Sequence, residues 1–150
     1  MLRQRLASLN IVLPPLSGPF GAYIPVRRAG GLVFVAGQLP MRDGKLIATG
    51  QVPSRCSIEQ AQLGARQCVI NALAAVQAME GTVDVLRGVV RVGAFVSSDP
   101  TFTQQPQVAN AASQLLLDLF GDAGRHARAA VGAVSLPLDA AVEIEFVFHT

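Results

Sequence analysis

The chain has 150 residues and carries twelve basic side chains, eleven of them arginine, against ten acidic ones, for a formal charge of +2. That length predicts one domain, residues 1–150, able to bury about 68–70% of its unfolded surface, so neither disulfides nor a structural metal is needed to hold a core. Apolar residues reach 51% and charged residues only 15%, against about 25% charged in ordinary soluble domains; with no apolar run near the 18 or so residues that span a bilayer, the surplus must be covered by protein, which predicts an oligomer.

In chain order, Leu2, Leu6 and Leu9 stand at helical spacing before Leu13-Pro14-Pro15 forces an extended path, so residues 1–15 read as an N-terminal arm with a short helix. Asn10 and the two prolines interrupt any apolar stretch that would make a signal peptide, and a cytoplasmic protein is expected. Tyr23–Arg28 and Leu32–Ala36 are β-rich runs around Ala29-Gly30-Gly31 and predict a hairpin. Residues 38–56 carry Pro40, Gly44, Gly50 and Pro53, a breaker density that predicts a loop with one short strand near Lys45–Ala48, placed to wall a site.

Ser57 followed by Gln60 has the form of a capping box. Apolar positions then recur at Ile58, Ala61, Ala65, Cys68, Ala72, Val76 and Met79, a helical face that should run to about Glu80 and stop at Gly81. Cys68 falls on that face as a core residue, and with no CxxC or CxxH spacing both it and Cys56 are expected to be free thiols. Arg87–Ser97 alternates as a strand, with Val90, Val92, Ala94 and Val96 on one face and Val89, Arg91, Gly93 and Phe95 on the other. A second helix follows, with Pro106 in its first turn and Val108, Ala112, Leu115, Leu116 and Leu119 as its stripe before Gly121. Strands near 129–134 and 141–148 close the chain around Leu136-Pro137-Leu138-Asp139. The whole reads as an α+β fold, a mixed β-sheet with two helices packed on one face and the other face left for another subunit.

Motifs for familiar chemistries are few. His126 and His149 form no metal-ligand spacing; there is no G-x-S-x-G elbow and no glycine pattern that cradles phosphate. The basic residues are scattered, with no run longer than Arg27-Arg28, so no nucleic-acid partner and no membrane partner is expected. What stands out is the C-terminal third, where Gly124-Arg125-His126-Ala127-Arg128 enters a strand and Glu143 and Glu145 lie two apart on an otherwise apolar one. An arginine on a neighbouring strand suits two roles: an ion pair with one of these carboxylates that only fixes an assembly, or a bidentate holder for a small organic acid. Spacing alone leaves both open.

Over about residues 16–149 the chain resembles the Rid (YjgF) proteins. The carriers are Gly21-Ala22-Tyr23, Val35-Ala36-Gly37-Gln38-Leu39-Pro40, Asn71-Ala72-Leu73, Arg128-Ala129-Ala130-Val131, Leu136-Pro137 and Val142-Glu143-Ile144-Glu145, in that order and spacing. The segments 9–14 and 120–128 look like a divergent branch. The resemblance implies a chorismate-mutase-like (YjgF-like) fold, a homotrimer with sites between subunits, and hydrolysis of 2-enamine or 2-imino acids of the 2-aminoacrylate and 2-iminopropanoate type to a 2-oxo acid and ammonium, without a cofactor. It implies that Arg128 grips the substrate carboxylate, Glu143 orders the attacking water, Tyr23 packs the substrate, and Gly37, Asn110 and the backbone of Ala130 line the site. Many relatives carry cysteine where this chain has Ala130. His126 stays outside the implied catalytic set. The alternatives are a non-catalytic module that binds small 2-oxo acids, and an endoribonuclease, the activity ascribed to some relatives.

Overall fold

The computed structural model describes residues 1–16 and 20–150; residues 17–19, near the start of the resembling range, lie outside the described part. The described residues form seven strands and three α-helices: α1 (Leu2–Ser8), β1 (Val26–Ala29), β2 (Leu32–Gln38), β3 (Met41–Arg42), β4 (Lys45–Leu46), α2 (Ile58–Glu80), β5 (Gly88–Ser97), α3 (Gln105–Phe120), β6 (Ala127–Ala133) and β7 (Val142–His149). Five strands make one sheet in the order β1-β2-β7-β5-β6, while β3 and β4 form a separate small hairpin. All sheet pairs are antiparallel except β5 with β6. The sheet is therefore mixed, and α2 and α3 pack side by side over one of its faces, giving the expected α+β architecture.

The helix ends follow their chemistry. The Ser57 hydroxyl accepts from the Gln60 N–H at 3.1 Å and opens α2, while Gly81 ends it in the left-handed conformation at φ 79°. Cys68, Ala72 and Val76 are buried as the periodicity requires, but Met79 is 46% exposed and Gln67, off the apolar stripe, is buried. Gln67 is buried because α2 is covered on a second side by the 39–41 segment. There the Asn71 amide donates to the carbonyls of Leu39 and Met41 at 3.0 and 2.9 Å, and Gln67 donates to Asn71 Oδ1 at 2.9 Å. A polar pair at i and i+4 thus ties the breaker-rich loop to the helix.

The strand β5 departs from simple alternation. Its register against β7 shifts between Val89 and Arg91, so two residues oppose one and Val90 is the extra residue of a bulge. Val89 is consequently buried under the helices and Val90 is exposed, the reverse of the faces that strict period two assigns them. From Arg91 onward alternation resumes, with Val92, Ala94 and Val96 inside.

The N-terminal arm is built into the core. Leu2 and Leu6 of α1 are buried, the helix packs on α3 and on the short 3-10 turn Val83–Val85, and the Arg3 N–H donates to Asp84 at 2.9 Å. Burial of two leucines contributes about 1.5–3 kcal/mol each. Of the first apolar β-rich run only Val26–Ala29 pairs; residues 23–25 approach β2 through one bond, Ala36 N–H to the Pro25 carbonyl at 2.9 Å. The face away from the helices exposes Phe34, Phe95 and Val131.

Candidate functional site

Arg128 is the second residue of β6, the edge strand, and its side chain turns toward the helix-bearing face. Its Nη1 group donates to Asn110 Oδ1 at 2.9 Å and to Ser113 Oγ at 3.1 Å, both on α3. Those two bonds use both hydrogens of Nη1. Among the described residues, Nη2 and Nε have no hydrogen-bond partner, so the flat Nε/Nη2 edge keeps two parallel donors for a carboxylate. The guanidinium lines a cleft of about 270 Å³ together with Ser113, Leu117, Arg125 and His126. Arg125 adds a second cation, its Nε 3.4 Å from exposed Asp122. The sequence places Asn110 beside Arg128 only through the family resemblance; the helix does so physically, because residues 110 and 113 are one turn apart on α3.

The other half of the predicted set lies across the sheet. Glu143 alternates with Val142 and Ile144, which are fully buried beneath the helices, so its carboxylate emerges on the open face. It lies directly over Gly37, where any Cβ would collide with Glu143 Oε1. Gly37 sits where the β2–β7 register shifts between Val35 and Gln38, and its lack of a side chain is what admits the carboxylate. Partial burial, and next the charge of Glu145, push the Glu143 carboxyl above its ordinary pKa. Tyr23 lies two residues before Pro25, beside that same end of β2, 58% exposed and edge-on to Phe20 at 6.0 Å. Ala130 packs half-buried at the core margin, on the Arg128 side of β6.

One chain therefore presents two groups, Arg128 with Asn110 and Ala130 on the helix side, and Glu143 with Gly37 on the open side. The arginine that does reach the last-strand carboxylates is Arg91, 2.7 Å from Glu145 Oε1. This pair lies flat over Gly93, where a Cβ would meet both partners, and is half-exposed on the open face.

Beyond the implied set, the cleft is lined by His126, which the sequence leaves outside the catalytic residues, and by Ser113, which sequence reasoning did not single out. Ser113 Oγ is 2.9 Å from His126 Nε2, and His126 Nδ1 is 2.6 Å from the Gly124 carbonyl. His126 stands two residues before Arg128, just ahead of β6, which is the one sequence signal pointing to it; nothing in the helix pattern distinguishes Ser113. Neither cysteine takes part. Cys68 is fully buried, and desolvation drives its thiol well above its ordinary pKa, leaving it unreactive. Among the described residues no group of three or more His, Cys, Asp or Glu side chains converges as a metal site, and no helix is long and apolar enough to cross a membrane.

A family model described as "YjgF/chorismate_mutase-like, putative endoribonuclease" matches residues 3–149. The chain belongs to the YjgF family. The match begins inside α1, in keeping with the burial of that helix. Protein TCP17 of Trypanosoma cruzi is 40% identical over 141 residues, covering 93% of this chain and 88% of that protein. The crystal structure of Atu1372 from Agrobacterium tumefaciens superposes with a TM-score of 0.88 at 40% identity, over 99% of this chain and 90% of the other. A Shewanella oneidensis protein named as an endoribonuclease superposes with a TM-score of 0.93 at 25% identity, over 100% and 99% of the two chains. The chorismate-mutase-like fold expected of the family is thus the fold observed.

Proposed function

We propose that this YjgF-family chain is a deaminase that hydrolyses 2-enamine and 2-imino acids to 2-oxo acids and ammonium, in clefts between the subunits of a homotrimer. The observation that carries the reading is the Arg128 guanidinium, immobilised through Nη1 by Asn110 and Ser113 while its Nε/Nη2 edge stays unpaired beside the cleft. A fixed fork of two donors suits a carboxylate better than a mobile point charge does.

The chemistry asks little more of the protein. An imine carbon is already electrophilic: water adds to C=N, the nitrogen takes up protons, and the C–N bond breaks to leave the 2-oxo acid and ammonium. Positioning of carboxylate and water supplies most of what catalysis requires. In this reading Arg128 holds the carboxylate, with Asn110 and the Ala130 backbone along the cleft. Glu143 orders the water above Gly37, where partial burial and then the charge of Glu145 raise its pKa and so favour its holding a proton. Tyr23 packs the substrate. Because Arg128 and Glu143 leave opposite faces of one sheet, a complete site needs Glu143, Gly37 and Tyr23 from a neighbouring copy. The exposed Phe34, Phe95 and Val131 are the surface such a copy would cover.

The test is hydrolysis of freshly generated 2-iminopropanoate, followed by semicarbazone trapping or ammonia release, with wild type beside Arg128→Ala. Acceleration that disappears in the variant supports the reading. Saturable binding of pyruvate without turnover would instead favour a 2-oxo-acid binding module. The name borne by the Shewanella relative favours a third reading, endoribonuclease. One lysine, one tyrosine and no tryptophan make a poor surface for phosphate contacts and base stacking, and salt-sensitive RNA cleavage by wild type would restore it.

A further inference from the structure

The hydrogen bonds behind Arg128 have only one consistent direction. A guanidinium can only donate and a carbonyl can only accept. Arg128 Nη1 therefore donates to Ser113 Oγ, and His126 Nδ1 donates to the Gly124 carbonyl. With Nδ1 carrying the proton in the neutral ring, Nε2 is an acceptor, and the 2.9 Å contact is the Ser113 hydroxyl donating to it. The chain runs Arg128 to Ser113 to His126 to Gly124, and the Ser113 proton is taken up by the imidazole rather than offered to a ligand in the cleft that both residues line.

Protonation of His126 reverses one link. Nε2 becomes a donor, Ser113 Oγ then accepts from both Arg128 and His126, and its own proton is released toward the cleft. We infer that Ser113 and His126 are a proton-linked extension of the Arg128 anion site: a bound carboxylate and a protonated His126 stabilise each other, with the Ser113 hydroxyl turning from the imidazole to the ligand. This rests on the carboxylate-binding reading of the cleft and adds Ser113 as a ligand contact and His126 as the positioning residue behind it.

The charges around the ring give the sign. Arg125, its neighbour in the chain, and Arg128, two residues on in β6, are the cations that line the cleft with it. On α3 the only charged group is Asp118, engaged by Gln114 at 2.9 Å. From the 3-10 turn Gly121–Gly124 comes Asp122, beside Arg125. On β5, Arg91 is paired with Glu145 on the open face, and from β7 His149 reaches Gly88 near the Ala123 carbonyl. An anion on Arg128 therefore supplies the negative charge that the ring's surroundings lack. By reciprocity, anion affinity rises as pH falls through the His126 titration.

The probe is pyruvate, whose carboxyl stays ionised well below neutrality, titrated calorimetrically between pH 5.5 and pH 8. Wild type should bind about tenfold more tightly at the acid end. His126→Gln should bind with no such dependence, His149→Gln should keep it, and Ser113→Thr should keep it where Ser113→Ala does not. Nitrogen NMR of the two imidazoles in the unaltered protein provides a measurement independent of the variants. His126 should show the Nδ1–H tautomer at alkaline pH, and its pKa should rise on saturation with pyruvate while that of His149 stays in place. Binding that is flat in pH, or an Nε2–H tautomer at His126, overturns the inference and leaves the carboxylate site standing. Absence of pyruvate binding at every pH removes both.

Discussion

Arg128 illustrates how far a side chain's meaning depends on what holds it. Three of its five donors remain once Asn110 and Ser113 have taken Nη1, and a lysine would reproduce neither the anchoring nor the parallel pair. Arg128→Lys should therefore lower kcat/KM on 2-iminopropanoate by about 10- to 150-fold, the equivalent of one charge-assisted hydrogen bond of roughly 1.5–3 kcal/mol, with the elution volume on gel filtration unchanged from wild type. Glu143 carries a stability prediction as well. Its folded pKa is raised, by burial first and by Glu145 second. The folded protein thus favours the protonated form, and the associated stability is complete below the unfolded carboxyl pKa and lost as pH rises through the folded one. Glu143→Gln should accordingly unfold at a slightly higher temperature than wild type at pH 7. The difference should vanish near pH 4, read by thermal denaturation at both values.

Elements were legible in the sequence wherever one local rule acted alone. Ser57, Gln60 and Gly81 mark both ends of α2, and the leucine stripe marks α3. The bulge at Val90 was not legible, because the run Arg87–Ser97 is apolar on both faces and nothing in its alternation distinguishes the residue that slips. The split between the two halves of the site was hidden for a related reason. The two-residue spacing shows that Glu143 and Glu145 share a face, but which face Arg128 takes follows only from the parallel pairing of β6 on β5. Ser113 and His126 come together through tertiary packing and left almost no local trace. The turn before β7 also departs from simple expectation, since Leu138 and Asp139 both adopt positive φ, 57° and 62°. Asp139 is compensated by two bonds from the Arg55 guanidinium, at 3.0 and 2.5 Å. Leu138 is 73% exposed and has no comparable compensation. Its left-handed backbone costs roughly 1–2 kcal/mol, of which glycine would return all but the 0.5–1 kcal/mol or so of added chain entropy. Leu138→Gly should stabilise by about 0.5–1 kcal/mol, a rise of about 1–4 °C in Tm for a chain of this size.

At the scale of the whole molecule, the proposed site is divided across the sheet and so calls for a second copy, and the low charge content and the exposed Phe34 and Phe95 suit a surface that one would cover. Two inactive variants supply the test. In a cyclic assembly whose sites each join Arg128 of one subunit to Glu143 of the next, unfolding and refolding Arg128→Ala with Glu143→Gln in equal amounts should restore activity in about a quarter of the sites by random association. Sites built within single chains would restore none.

The strand that carries Arg128 is also the unguarded margin of the sheet. β6 has no proline and no lysine, its residues apart from Arg128 are alanine, valine and glycine, and the one charge is turned back against α3. Edge strands kept in solution ordinarily bear such blockers against indiscriminate pairing. A chain with this edge uncovered would therefore offer a row of free backbone donors and acceptors to whatever strand it met, and its loss would register as turbidity before it registered as unfolding.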